Sequence, residues 1–182
     1  MSYTCVVLSG ISGAGKSTIG KLICDEVDNM NFIEGDNYFL AVKPKIKLSS
    51  GDIATNWDSE DSIDWDRLNK DVKLQLKKSH VLLATFIPIM DRYTFDVKFH
   101  IRLVMGNKYE SIARSIENRI ISKRITTDER KKKDSLVVKE MVWPLYEKLS
   151  QKYEAYEINI YTKEGKRRTK VDIVSDILKI IT

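Results

Sequence analysis

The sequence predicts an α/β fold, a five-stranded parallel sheet with helices on both faces. Three observations carry that prediction. Short apolar runs alternate with stretches of helical spacing along most of the chain, the pattern of strands joined by crossover helices. The first run, Tyr3–Ser9, is rich in β-branched and apolar residues, as a strand buried on both faces should be. It leads directly into residues 10–18, GISGAGKST, which complete the pattern G-x-x-x-x-G-K-[ST] ahead of a helix.

The elements follow in order. Strands are expected at Thr4–Ser9, Asn31–Gly35, Val81–Phe86, Lys98–Val104 and Tyr156–Tyr161. After the glycine loop, apolar residues at 19, 22, 23 and 27 have the period of an amphipathic helix. Asp64 is a suitable N-cap for a helix to about Lys78, with Leu68, Val72 and Leu76 on one face. A helix from Lys108 to about Lys123 carries Ile112, Ile116 and Ile120 at spacing four. Another begins near Thr127 and gathers Val138, Met141, Val142, Leu145 and Leu149 on one side. Pro144 falls inside it and, lacking an N–H, should kink it. Val171–Ile181 closes the fold as a packing helix. Leu40–Asp61 is long and irregular, with Pro44 and Gly51, and long loops in compact domains are usually functional. Nothing divides the chain, so residues 1–182 are expected to form one domain, with a charged lid at about 119–134.

Hydrophobic content of 42% and charged content of 31% describe a globular chain with a substantial core. No apolar run approaches the roughly 20 residues needed to span a bilayer, so no membrane partner is expected. The N-terminus lacks a basic region followed by an apolar stretch and a cleavage site. Cys5 and Cys24 fall in the first strand and first helix, positions that suit buried thiols in a reducing cytoplasm. The net charge of +5 is concentrated in Lys123-Arg124, Arg130–Lys133 and Lys163–Lys170. The first two clusters have no interleaved aromatic residues, which a single-strand stacking platform would need. The charge therefore points to small anionic ligands rather than nucleic acid.

The glycine loop has a specific chemistry. Gly10, Gly13 and Gly15 accept backbone angles that other residues resist. The N–H groups of Gly10, Ser12, Gly13, Ala14, Gly15, Lys16, Ser17 and Thr18 then face the polyphosphate of ATP at a helix N-terminus. Lys16 reaches the outer phosphates, and the Ser17 hydroxyl binds Mg²⁺. Glu34-Gly35-Asp36 ends the second strand, and ligands in parallel sheets sit beyond the carboxyl ends of strands. Asp36 is placed to accept a proton from an attacking hydroxyl, or to hold Mg²⁺ through water. In Asn56-Trp57-Asp58, the indole can stack on a flat base while the carboxylate bonds a ribose hydroxyl; the same pair also suits a core plug followed by a turn. Arg119, Lys123 and Arg124 are either a solvated face or a lid that closes on the triphosphate. No D-x-x-G and no N-K-x-D occurs, which disfavours a GTPase switch.

Four segments together carry a resemblance to a family. Residues 10–18, Gly35-Asp36-Asn37-Tyr38-Phe39, the run from Asn56-Trp57-Asp58 to Ser62-Ile63-Asp64-Trp65, and Val142-Trp143-Pro144-Leu145-Tyr146-Glu147-Lys148 resemble the uridine kinase and nicotinamide riboside kinase group. The Val-Trp-Pro-Leu-Tyr run after a basic lid looks most like nicotinamide riboside kinase. The resemblance implies a P-loop NTPase fold of nucleoside-kinase type and phosphorylation of a nucleoside 5′-hydroxyl by ATP with Mg²⁺. By position it implies Asp36 as base and metal residue, and Tyr38, Trp57 and Asp58 as substrate contacts. Arg119 and Arg124 belong to the lid, the first binding ATP and the second catalytic. One departure stands out. The group usually ends its third strand with Glu-Gly, whereas this chain has Ala84-Thr85, and a hydroxyl cannot supply the missing negative charge for hydrated Mg²⁺. Two other readings stay open: a P-loop kinase for a sugar, vitamin or nucleoside monophosphate, and a nucleotide-binding protein without turnover.

Overall fold

A strand that is apolar on both sides belongs in the middle of a sheet, and β1 (Cys5–Gly10) lies there. The structure is a computed structural model, and it describes residues 3–86, 88–123 and 125–182. β5 (His80–Ala84) and β6 (Val97–Val104) flank β1, with β2 (Met30–Glu34) and β7 (Tyr156–Asn159) at the edges. The order is β2-β5-β1-β6-β7, and every pairing is parallel. Leu8 is level with Ala84 and Ile101, so the strands end together beneath the glycine loop. All five strands expected from the sequence are present, with ends shifted by one or two residues.

Alternation along the central strands builds the two halves of the core. Val6, Leu8, Leu82, Ile101 and Leu103 face one side, where α1 (Lys16–Glu26), α5 (Trp143–Lys152) and α6 (Lys170–Ile181) cover them with Ile19, Ile23, Tyr146, Leu149, Ile173 and Ile177. Cys5, Val7, Val81 and Leu83 face the other side, under Leu68 and Val72 of α2 (Trp65–Gln75). Each fully buried aliphatic side chain contributes about 1.5–3 kcal/mol. Asp64 caps α2 as expected, its carboxylate accepting from the Arg67 N–H at 3.0 Å. Both cysteines are free, Cys5 buried and Cys24 half-buried. Among the described residues, no helix is long and apolar enough to cross a membrane.

One expectation gains its local geometry and one is corrected. Pro144, expected to kink its helix, follows directly on a change of helical pitch. α4 (Asp128–Val137) continues through a π-helical turn at Val138–Val142 into α5. The Trp143 N–H bonds the Val138 carbonyl five residues back. That wider turn takes up the missing N–H just ahead of the proline ring. The stretch from Leu40 to Asp61 is not irregular throughout. It carries an antiparallel hairpin, β3 (Lys45–Lys47) with β4 (Ile53–Thr55), whose strands are too short to show a period in sequence.

One buried polar network gives a stability test. His100 of β6 is 7% exposed. Its Nδ1 meets the Glu154 carbonyl and its Nε2 meets Ser9 Oγ, both at 2.7 Å. A carbonyl only accepts, so Nδ1 carries the proton and Nε2 accepts from Ser9. Burial, helped by Arg102, pushes the imidazole down to about 4. The unfolded chain therefore binds the extra proton first, and stability is lost as pH falls from about 6.5 towards 4. In denaturant titrations the wild type should lose about 2 kcal/mol relative to His100→Gln between pH 7 and pH 5, a difference in which the opposing contribution of other groups cancels.

Candidate active site

β1 ends at Gly10, whose N–H bonds the Phe86 carbonyl beyond β5 at 2.8 Å. The loop then turns through Gly13 and Gly15, with φ of 89° and 91°, angles that favour glycine. Gly15 begins α1 without a side-chain cap, so the first helical N–H groups are available to an anion. Lys16 folds back on the loop, its Nζ donating to the Gly10 carbonyl at 2.9 Å. Burial lowers the Lys16 pKa, opposed by Asp36, Asp58 and Glu34. Those three carboxylates thus all act on one ammonium group.

α3 (Lys108–Ser122) braces the loop from above. Ser115 Oγ donates to the Ser12 carbonyl at 2.8 Å, and Asn118 Nδ2 to the Gly13 carbonyl at 3.0 Å. Arg119 Nη1 donates to Ser12 Oγ at 3.3 Å. The rest of its guanidinium forks onto Asp134 of α4 at 2.8 and 3.0 Å, and Lys123 reaches the same carboxylate at 2.9 Å. Burial alone would raise the Asp134 pKa, but the bonds from Arg119 and Lys123 outweigh it and hold it low. Arg124 lies outside the described residues. In sequence, Asp134 only closes the charged stretch at about 119–134. Only the helix pairing gives it a partner.

The carboxyl end of β2 supplies the acidic side. Ser17 Oγ donates to Glu34 Oε1 at 3.0 Å. Burial raises the Glu34 pKa, with Asp36 adding to the effect. Ala84, at the end of β5 and followed by Thr85, is level with Glu34 across the sheet. Ser17 of α1 and Glu34 of β2 therefore bring hard oxygen donors together at the loop's edge. A 3₁₀ turn, Gly35–Tyr38, follows. Residues three apart eclipse in such a turn, and Asp36 and Phe39 both line the cleft. Tyr38 does not. It is buried against α2, its hydroxyl donating to Asp71 Oδ2 at 3.1 Å and the Arg67 guanidinium lying 5.0 Å from its ring centre. The expected substrate contact at Tyr38 is thus a core residue of the opposite face.

Ser12, Lys16, Asp36, Trp57, Asp58 and Arg119 are brought together in one cleft of about 400 Å³. Phe39, Phe86, Val137 and Met141 form its apolar wall. Trp57 is 49% exposed and packs edge-on against Phe39 at 5.1 Å between ring centres. Asp58 keeps part of its surface open to the cleft, yet burial among its neighbours pushes it up to about 6, with Arg119 and Lys16 pulling it back. The β3–β4 hairpin leans on the π turn across this cleft. The Ser49 N–H and hydroxyl both bond the Glu140 carboxylate, the first at 2.9 Å. Leu48, Ala54 and Met141 pack beneath. Among the described residues, no cluster of three or more metal-ligating side chains occurs.

The fold has solved counterparts. A gluconokinase from Sinorhizobium meliloti 1021 superposes with a TM-score of 0.56 at 17% identity, covering 97% of this chain and 90% of that one. A tunicamycin resistance protein from Deinococcus radiodurans gives 0.55 at 11% identity, covering 98% and 95%. The chain has a P-loop NTPase fold. No family profile and no curated protein matches the sequence. At such identities the likeness is one of fold, and the resemblance to uridine and nicotinamide riboside kinases rests on the sequence segments alone.

Proposed function

We propose that this protein is an ATP-dependent small-molecule kinase that phosphorylates the 5′-hydroxyl of a ribonucleoside, with nicotinamide riboside or a pyrimidine ribonucleoside as acceptor. The observation that carries the proposal is the convergence of Lys16, Asp36, Asp58 and Arg119 on one aromatic-walled cleft. Phosphoryl transfer needs little covalent help from protein. It needs positive charge around the transferring group and a residue that takes the acceptor proton. The loop N–H groups, Lys16 and Arg119 supply the first. Asp36 supplies the second. Mg²⁺ enters with ATP, and Ser17 with Glu34 suits it, because that ion prefers few carboxylates, waters and phosphate oxygens. Once phosphate competes for Arg119 and Lys123, their hold on Asp134 loosens, and the 119–134 region closes as a lid. Trp57 stacks on the base and Asp58 bonds the ribose hydroxyls.

The test is a mass-shift screen with ATP, Mg²⁺ and a mixture of ribonucleosides, nicotinamide riboside, pantothenate and sugars. A gain of one phosphate on a ribonucleoside is expected. Its 2′-deoxy counterpart should be poorer by as much as about 10⁴-fold, since a site built for a hydroxyl leaves a buried carboxylate unpaired without it. Phosphorylation of only non-nucleosides would move the protein to the second reading, a kinase for another polyhydroxy acceptor, which the gluconokinase likeness favours. No transfer to any acceptor would leave a nucleotide-binding protein without turnover.

A further inference from the structure

Trp57 is the flat surface on which a base would rest, but a cation already occupies one of its faces. Lys43 Nζ lies 4.1 Å from the Trp57 ring centre and 5.7 Å from that of Phe39. Its ammonium also donates to the Leu40 carbonyl, which holds it above the aromatic pair. The side chain is half-buried and is followed by Pro44, whose ring restricts the backbone at 43. The position is therefore held both by the chain and by its ligands. A stacked pyridinium would draw on the same quadrupole that Lys43 already uses. On the opposite face of the indole it would still lie well within a Debye length of the ammonium.

The carboxylates of the cleft already act on another cation. Asp58 and Asp36 face Lys16, with Arg119 beside Asp58. Among the described residues, Lys43 is the cation that sits over the indole, 4.1 Å from its centre. We infer that Lys43 is a specificity-determining residue that selects neutral, carbonyl-bearing bases over cationic rings at Trp57. The inference builds on the ribonucleoside proposal and turns its choice of acceptor from nicotinamide riboside to uridine or cytidine.

Ring binding separates the two claims. Nicotinamide and 1-methylnicotinamide differ by one methyl group and one positive charge. Their affinities can be read from quenching of the Trp57 emission, taken as the component lost in Trp57→Phe. The wild-type protein should bind the neutral ring on the order of tenfold more tightly than the cation, as like charges at this range in a half-exposed site imply. Lys43→Met, which keeps the length and loses the charge, should erase most of that preference, and Lys43→Arg should retain it. The kcat/KM ratio of uridine to nicotinamide riboside should shift in the same way. An unchanged ring preference in Lys43→Met would overturn the inference, as would failure of either ring to quench Trp57. If the rings behave as expected while no nucleoside is phosphorylated, the nucleoside-kinase proposal fails and the ring selectivity of Lys43 stands.

Discussion

Replacing Lys16 by alanine is expected to reduce phosphoryl transfer by on the order of 10³-fold or more, the scale on which a single cation acts at a transferring phosphoryl group. The fold should survive. Among the described residues, the Lys16 ammonium bonds the Gly10 and Ile11 carbonyls alone, at 2.9 and 3.5 Å, and its burial already costs the charged form. Circular dichroism and thermal melts should therefore be close to those of the wild type. A second consequence separates a catalytic lysine from a structural one. Lys16 lowers the Asp58 pKa, so its removal should drive the Asp58 titration above about 6. The acid limb of any residual activity should shift to higher pH. Near-wild-type turnover would remove the glycine loop from the catalytic centre.

The loop, the sheet and the basic helix tip were legible in the sequence because each is a local pattern. GISGAGKST needs only its own residues, and β1 declares itself by lacking a polar face. What escaped is tertiary. The run Glu34 to Phe39 has carboxylates and aromatics one or two apart, and nothing in that spacing tells which faces ligand. The 3₁₀ turn decides it, placing Asp36 and Phe39 in the cleft and sending Tyr38 to Asp71 on α2. Likewise Asp134 gains meaning only when α4 folds back on α3, 15 residues from Arg119 in sequence. Lys43 sits over Trp57 because a hairpin closes between them, and its strands have three residues each. Glu34 was within reach of sequence reasoning, since Glu34-Gly35-Asp36 puts two carboxylates at the end of one strand and β5 ends at Ala84, ahead of Thr85, with none.

The two acidic residues of the cleft should fail in opposite ways. Asp36→Asn is expected to lower kcat by on the order of 10²-fold while leaving ATP affinity almost unchanged, because a general base acts only in the transition state. If the variant instead loses ATP with Mg²⁺ and keeps turnover at saturation, Asp36 is a metal residue. Asp58→Asn should raise KM for the ribonucleoside and leave kcat less affected, as loss of a substrate hydrogen bond does. Its stability should move the other way. Burial raises the Asp58 pKa to about 6, so the native state holds the proton between about 4 and 6 while the unfolded chain has released it. Stability is therefore lost as pH rises through that window, and at pH 7 the ionised carboxylate is a burden on the fold. Asparagine relieves it, by about 1–2 kcal/mol once the open part of the side chain is discounted. A higher Tm together with a higher KM marks a group kept for binding against its own folding cost. The pH profile completes the assignment. The acceptor KM of the wild type should rise about tenfold per pH unit below 6 as Asp58 takes up a proton, and this limb should vanish in Asp58→Asn but persist in Asp36→Asn. A limb that survives in Asp58→Asn and disappears in Asp36→Asn would exchange the two roles.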